Sequence, residues 1–403
     1  MKSGVCNLDH FISSSFGFDR VFKNPQVLKE SYIPEKFLFR DKEREEILGE
    51  IATYFQMSMT PNNIYINGPT STGKTHMIKR MMIEINEYSR KLDEKLELIY
   101  GSFKSKTCVG GLAELVQRNI NTKVSQKSNF ETLIKCIGEY AKDKVLGIIL
   151  DEVDKMRPTC RIEKPIPTLI GSIMRLYETT DIDKDHYFLI VITNEDITGM
   201  LPSTDKSIFT PNTIYFRDYN EGEIREIIRD RCELAFQNGI VEEDAIFYLS
   251  KLIKKKMGNL RVGFKTLLNA GKIAIRKNCK ITEEIIDEAF DMLQRNIIEE
   301  KLINADDTTL LIVYGTAKMQ KIRGEATMTS VYEFYKENEN SKPLSFGYVS
   351  NYIIPKLEAE GLIKTNIRGL GRGKGKARFL EVETDKIDSI IKICEDELKR
   401  RWS

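Results

Sequence analysis

The chain has 403 residues, 41% hydrophobic and 30% charged, an ordinary globular mixture with material for about two or three domains. Its 62 lysines and arginines against 60 acids leave a net charge of +2, so the overall field announces no nucleic-acid partner and a local patch must carry one. Apolar runs reach only about six residues, far short of a membrane span, and the stretch from Met1 to Asn7 has no signal-peptide apolar region, so the protein reads as cytoplasmic with no membrane partner. Cys6, Cys108, Cys136, Cys160, Cys232, Cys279 and Cys394 form no C-x-x-C pair, and His10, His76 and His186 do not join them at metal-like spacing, which argues against zinc and a disulfide framework.

Residues up to about Lys36 read as an irregular leader, after which Ile47, Leu48 and Ile51 recur at helical spacing. Ile64 to Ile66 follows as a short strand, and the run from Gly68 to Thr75 fits G-x-x-x-x-G-K-[ST] in full before an amphipathic helix. Loop N–H groups and the helix N-terminus then converge on one anion, so Gly68, Pro69, Thr70, Ser71, Thr72, Gly73, Lys74, Thr75 and His76 are expected around a nucleotide. Gly68 and Gly73 allow close backbone approach, Lys74 reaches the β and γ oxygens, and the Thr75 hydroxyl suits Mg²⁺.

Val145 to Leu150 is a buried-strand pattern ending in Asp151 and Glu152. Asp151 is expected to hold Mg²⁺ through its water shell and Glu152 to orient or deprotonate the attacking water. A further strand from Tyr187 to Thr193 ends at Asn194, an amide suited to sensing the γ-phosphate. Strand-like Glu97 to Tyr100, Gly147 to Leu150, Tyr187 to Ile192 and Thr213 to Phe216 alternate with helices, which predicts an α/β P-loop core with a parallel sheet over residues 1–217.

Residues 218–305 read as a small all-α lid, with helices over Glu221 to Phe236, Glu242 to Lys256, Arg261 to Lys277 and Thr282 to Leu302. Arg261 opens the third of these, where a guanidinium could swing onto the γ-phosphate or stay an ordinary solvated arginine at an electrostatically poor helix end.

Residues 306–403 read as a winged helix-turn-helix: helices over Thr309 to Met319, Thr327 to Glu337 and Phe346 to Ala359, then strands Leu362 to Thr365 and Ala377 to Val382. Between Gly361 and Leu380 lie Lys364, Arg368, Arg372, Lys374, Lys376 and Arg378 with no acidic residue, spaced by Gly369, Gly371, Gly373 and Gly375. Such a wing suits phosphates and a narrow minor groove. The helix before it should present Tyr348, Asn351 and Tyr352 to the major groove and Lys356 to phosphate, although Asn351 is equally an ordinary surface residue. Pro355 falls inside that helix, so either the helix starts later or its second half bends.

The P-loop, Leu150 to Asp154, Asn194, the lid opening at Gly258 to Arg261 and the winged helix together resemble the archaeal origin recognition and cell division control replication initiators, a family of AAA+ ATPases. The leader, with Val21 to Leu28, Tyr32, Ile33, Pro34, Arg40 and Asp41, is similar to the family segment that packs against adenine, and Tyr219 occupies a position that would border the base. The resemblance implies an ATP-dependent switch that uses ATP/ADP and Mg²⁺, marks double-stranded origin DNA at the nucleoid and helps load the replicative helicase, with paralogous initiators as further partners. It also implies a DNA-touching insertion near Arg118 to Asn129, with Lys123 and Lys127, a segment that equally suits an exposed loop. Lys206 stands where the family usually offers a trans arginine finger, and Arg217, where proline is usual, is another candidate for that role or else a surface residue; with lysine at the usual place, hydrolysis is expected to be slow. An ATP-sensing transcription regulator and an accessory ATPase without sequence preference remain alternatives.

Overall fold

The apolar runs of the first half assemble into one five-stranded sheet: β1 (Ile64–Asn67), β2 (Leu96–Ser102), β3 (Val145–Asp151), β4 (Tyr187–Ile192) and β5 (Asn212–Tyr215). The order is β2-β3-β4-β1-β5, and every pairing is parallel. Helices cover both faces, which is why β4 is buried at every position. Helices α1 (Asp41–Met57) and α2 (Lys74–Lys91) bring Ile47, Ile51, Met77 and Ile78 against Ile64, Ile66 and Ile190 on one face. Helices α3 (Cys108–Asn119), α4 (Phe130–Ala141) and α5 (Pro165–Met174) bring Leu112, Leu133 and Leu169 against Ile148, Leu150 and Leu189 on the other.

The computed structural model describes residues 18–120, 128–257, 259–369 and 376–402, and the chain divides into two compact units, Met1–Glu283 and Glu284–Ser403. No helix among the described residues is long and apolar enough to cross a membrane.

After the sheet come α6 (Glu221–Ala235), α7 (Glu243–Leu252) and α8 (Leu260–Lys277). A capping box between Asn220 and Glu223 starts α6, and the Asn259 side chain caps α8 by accepting from Val262 N. The second lid helix does not continue to Lys256 as an α-helix: α7 ends at Leu252 and the chain widens into a π turn, Ile253–Met257. Helix α9 (Glu283–Ile303) follows.

In the second unit, α10 (Asp307–Arg323), capped by Asp306, and α11 (Met328–Asn338) precede a helical run over 346–359. That run starts at Phe346 as expected, but Val349–Ile353 is a π turn in which Ile354 N donates to Val349 O, five residues back. The wider turn lets Pro355, which has no N–H and whose ring crowds the carbonyl four residues earlier, sit in the final segment Ile354–Ala359. Gly361, at φ 70°, ends the helix in a Schellman pattern, with Leu362 N bonded to Leu357 O and Gly361 N to Glu358 O. Leu362 and Ile363 are thereby drawn into the core, so β7 (Lys364–Gly369) begins two residues after the expected strand start. It pairs antiparallel with β8 (Lys376–Glu381), whose other edge takes β6 (Ala326–Thr327). A closing helix, α12 (Ile387–Trp402), packs Ile390, Cys394 and Leu398 into this core and was absent from the sequence reading.

Candidate nucleotide site and nucleic-acid interface

The loop between β1 and α2 is shaped by two glycines. Gly68 has φ 151°, and a Cβ there would lie 2.1 Å from Phe216 O; Gly73 has φ 94° and leads directly into α2 with no side-chain cap on its free N–H groups. Lys74 Nζ donates to Gly68 O and Pro69 O, each at 2.6 Å, and to Asn194 Oδ1 at 3.1 Å. Burial lowers this ammonium to about 8, against the pull of Asp151, Asp154 and Glu152 and with Arg261 adding to the lowering.

Parallel pairing of β3 with β2 and β4 brings Asp151 to the carboxyl edge of the sheet beside this loop. Asp151 is wholly buried, and its Oδ2 accepts from the Tyr100 hydroxyl at 2.7 Å. Burial raises its carboxyl above the ordinary range, opposed by the nearby Tyr100 and Thr75 hydroxyls and by Lys79 and Lys74. Asp151 Oδ1 and Asp154 Oδ1 are buried with no hydrogen-bond partner. Orphaned carboxylate oxygens beside a threonine fit a hydrated divalent cation. No cluster of three or more His, Cys, Asp or Glu converges among the described residues. Asp154 Oδ2 accepts from Asn194 N at 3.3 Å and so ties down the residues that follow β4.

One pocket gathers Thr70 to His76 of the loop, Glu152, Asn194, Tyr219 and Arg261, with Tyr32 and Pro34 of the leader. Ile33 is not among its lining residues, and Gly68 and Pro69 contribute carbonyls to Lys74 rather than surface to the pocket. Arg261, on the first turn of α8, pairs with Glu30 at 3.3 Å, while Glu30 O meets His76 Nε2 at 2.9 Å. Burial lowers the His76 imidazole below its ordinary value.

The leader side of the pocket holds residues that no motif announced. Arg231 is 7% exposed, with its guanidinium 4.6 Å from the Tyr32 ring centroid and 4.9 Å from that of Phe264. Its NH1 donates to Val27 O at 2.9 Å, while Nε is buried without a partner. A signal existed, because Arg231 falls on the stripe Ile224, Ile227, Ile228 and Cys232, where a charge must be buried.

In the second unit, Tyr348 and Tyr352 stack with centroids 5.1 Å apart at 28°, and Tyr352 is 66% exposed. Asn351 and Lys356 are exposed on the same run, Lys356 lying 3.9 Å from Asp306 Oδ2. Lys376 is exposed on the hairpin. Besides Lys356, two of the expected DNA-facing cations are engaged within the domain. Arg368 pairs with Glu381 across the hairpin, and Arg378 NH1 donates to Ser350 O at 3.0 Å, tying the wing to the helix. Arg372, Lys374, Lys123 and Lys127 lie outside the described residues.

The parallel P-loop sheet with its helical addition defines a AAA+ ATPase fold, and residues 225–291 match the Cdc6 AAA+ ATPase-type lid domain. Along its length the chain is similar to the ORC1-type DNA replication protein 1 of Methanothermobacter thermautotrophicus, at 24% identity covering 91% of this chain and 94% of the relative. It is likewise similar to the ORC1-type DNA replication protein of Desulfurococcus amylolyticus, at 26% identity covering 97% and 98%. The fold matches the solved structure of the Aeropyrum pernix ORC1 protein in complex with DNA, with TM-score 0.77 at 22% identity over 95% of this chain and 99% of that one. The ADPNP–ADP complexes of the Aeropyrum pernix ORC2 protein match with TM-score 0.59 at 16% identity, over 95% and 99%. The similarity to ORC1-type DNA replication proteins thus runs over nearly the whole chain, and the lid model matches within it.

Proposed function

We propose that the chain is an ATP-dependent replication initiator that binds origin DNA and helps recruit or load the replicative helicase, with slow ATP hydrolysis as its switch. The observation that carries this reading is the single pocket in which the phosphate loop, Glu152, Asn194, Tyr219 and Arg261 converge. The names of the long-range relatives and the DNA and nucleotide complexes of the fold's neighbours support it. Residues 1–217 would act as the ATPase core, 218–305 as the lid and 306–403 as the DNA-binding domain.

Bound ATP would supply the phosphoanhydride bond whose cleavage resets the switch, and Mg²⁺ the charge that offsets its phosphates. Lys74 would turn its ammonium toward phosphate oxygens, and the loop N–H groups from Thr70 to His76 would cradle the rest. Thr75 and Asp151 would hold the cation's shell, Glu152 would orient or deprotonate the attacking water, and Asn194 and Arg261 would contact the γ-phosphate from core and lid. Tyr32, Pro34 and Tyr219 border the base. Lys206 is exposed on the short helix Ser203–Ile208, a point charge without the bidentate fork of arginine, and Arg217 already spends its fork on Glu223. Both observations support slow turnover. Tyr348, Asn351, Lys356 and the wing cations, with Arg372, Lys374, Lys123 and Lys127 among them, would meet double-stranded origin DNA. Paralogous initiators and the helicase would be the protein partners, at the nucleoid in the cytoplasm.

The test is selective recovery of source-genome fragments with ATP or ADP present, at near-physiological salt. Recovery of a few loci with short repeated elements, lost on neutralising Lys376 with Arg368, Arg372 and Lys374, is the expected result. Many promoter fragments would point to a transcription regulator, and recovery without preference to an accessory ATPase. Lys74→Ala with unchanged nucleotide binding and unchanged nucleotide-sensitive DNA binding would overturn the switch.

A further inference from the structure

Arg40 is the largest side chain wholly withdrawn from solvent, at 1% exposure, yet it does not line the nucleotide pocket. It sits at the start of α1 and spends its guanidinium on separate segments. Nε donates to Thr72 O of the phosphate loop at 3.2 Å and to the Tyr219 hydroxyl at 3.1 Å. NH2 donates to Arg217 O at 2.5 Å and NH1 to Glu43 Oε1 at 2.6 Å. The plane also stacks 4.1 Å from the Tyr219 centroid and 5.3 Å from that of Phe216.

Residues 216–220 are the connection from β5 to α6 and therefore the joint between sheet and lid. The same connection touches the phosphate loop elsewhere: Phe216 O blocks any side chain at Gly68, and the Tyr219 hydroxyl stands 3.5 Å from where a Gly73 Cβ would be. A buried charge in a low-dielectric site is stable only while its partners stay in place, and leaving one unpaired is costly. Displacement of Thr72 O is thus resisted at Arg217 and Tyr219 by one rigid, planar group with bonds in fixed directions.

We infer that Arg40 is a positioning residue that couples the phosphate loop to the sheet-to-lid connection, so that nucleotide in the loop orders residues 217–223. The inference rests on the reading of the pocket as an ATP site. Lysine at this position keeps the charge and loses the fork, so the coupling depends on the guanidinium itself.

The experiment is amide hydrogen exchange of the full chain with and without ATP, read by mass spectrometry on peptides covering 68–76 and 217–223, for wild type, Arg40→Lys and Tyr219→Phe. In wild type, ATP is expected to slow exchange in both peptides. In Arg40→Lys the loop peptide stays protected by ATP while protection of 217–223 is lost, and Tyr219→Phe, which removes one hydroxyl and keeps the ring, loses part of it. A purely structural role would instead raise exchange in both peptides equally with or without ATP, and that result overturns the inference. Protection of 217–223 that persists in both variants overturns it as well. Absence of ATP protection at 68–76 in wild type would sink the ATP reading, and the coupling with it.

Discussion

The Tyr100 hydroxyl donates to Asp151 Oδ2 at 2.7 Å, and the Lys79 ammonium lies 4.5 Å from the Tyr100 ring centroid. The tyrosine thus fixes one oxygen of a buried carboxylate and leaves Oδ1 as the open one. Tyr100→Phe strips a wholly buried acceptor of its donor, a loss of about 1–3 kcal/mol. Urea unfolding should show a lower midpoint, and titration of Mg²⁺ into the nucleotide-loaded protein should show weaker binding. An unchanged Mg²⁺ affinity would mean that Asp151 is oriented without Tyr100.

Arg261 and its partner Glu30 give opposite signs. Arg261→Ala removes a charged contact worth about 1.5–3 kcal/mol, so ATP affinity should fall about tenfold or more while ADP affinity barely moves. Glu30→Gln frees the guanidinium from a half-exposed ion pair worth about 0.2–1 kcal/mol, so ATP should bind at most about fivefold tighter. Equilibrium titration with both nucleotides checks the pair of outcomes, and equal loss of ATP and ADP in Arg261→Ala would remove the γ-phosphate role.

The Arg217 fork holds the Glu223 carboxyl below its ordinary value, aided by Asn220 N–H against a smaller opposing effect of burial. Because the folded value is depressed, this contribution to stability is complete above the unfolded carboxylate range and is lost as pH falls through the folded value. Glu223→Gln should be less stable than wild type near about pH 7 and approach it near about pH 3. Urea midpoints at the two pH values measure this, and a gap that does not narrow in acid would contradict it.

Lys376 and Arg378 sit two residues apart on β8 and should behave differently on DNA. Lys376→Ala removes an exposed cation, so the log–log slope of affinity against salt should shrink by about 0.9. Arg378→Ala loosens the wing from Ser350 O and should lower affinity with a smaller change in slope. Fluorescence anisotropy across a salt series separates the two, and equal slopes would show that Arg378 also reaches phosphate.

The strands and the phosphate loop were legible because their signals are local: uninterrupted apolar runs such as Tyr187 to Ile192, and a loop whose glycines and lysine stand at fixed spacing. The lid helices were legible through their apolar stripes, and the third begins at Leu260, one residue from its expected start. Arg40 was not, since its burial depends on the Tyr219 ring arriving from a distant segment, whereas Arg231 lay on the apolar stripe of α6 and only its aromatic partners, Tyr32 and Phe264, were out of reach. The same holds for Tyr100, whose partner lies on the neighbouring strand, and for Arg378, which the sequence offered as one cation among many. The closing helix carried its stripe, Ile390, Cys394 and Leu398, in plain view and was passed over beyond the wing.

The π turn over Val349–Ile353 acts as a one-residue phase shifter. Each residue of an α-helix turns the chain by about 100°, and the wide turn absorbs one residue without that rotation, so rewinding it as ordinary α-helix with the residue kept would swing Tyr348 by about that angle relative to Leu357, which anchors the helix in the core. Pro355 opposes that rewinding, because ordinary winding returns its ring to the carbonyl four residues back. Proline and extra residue are thus a matched pair, and a lineage could lose one only together with the other if the aromatic face is to keep its heading.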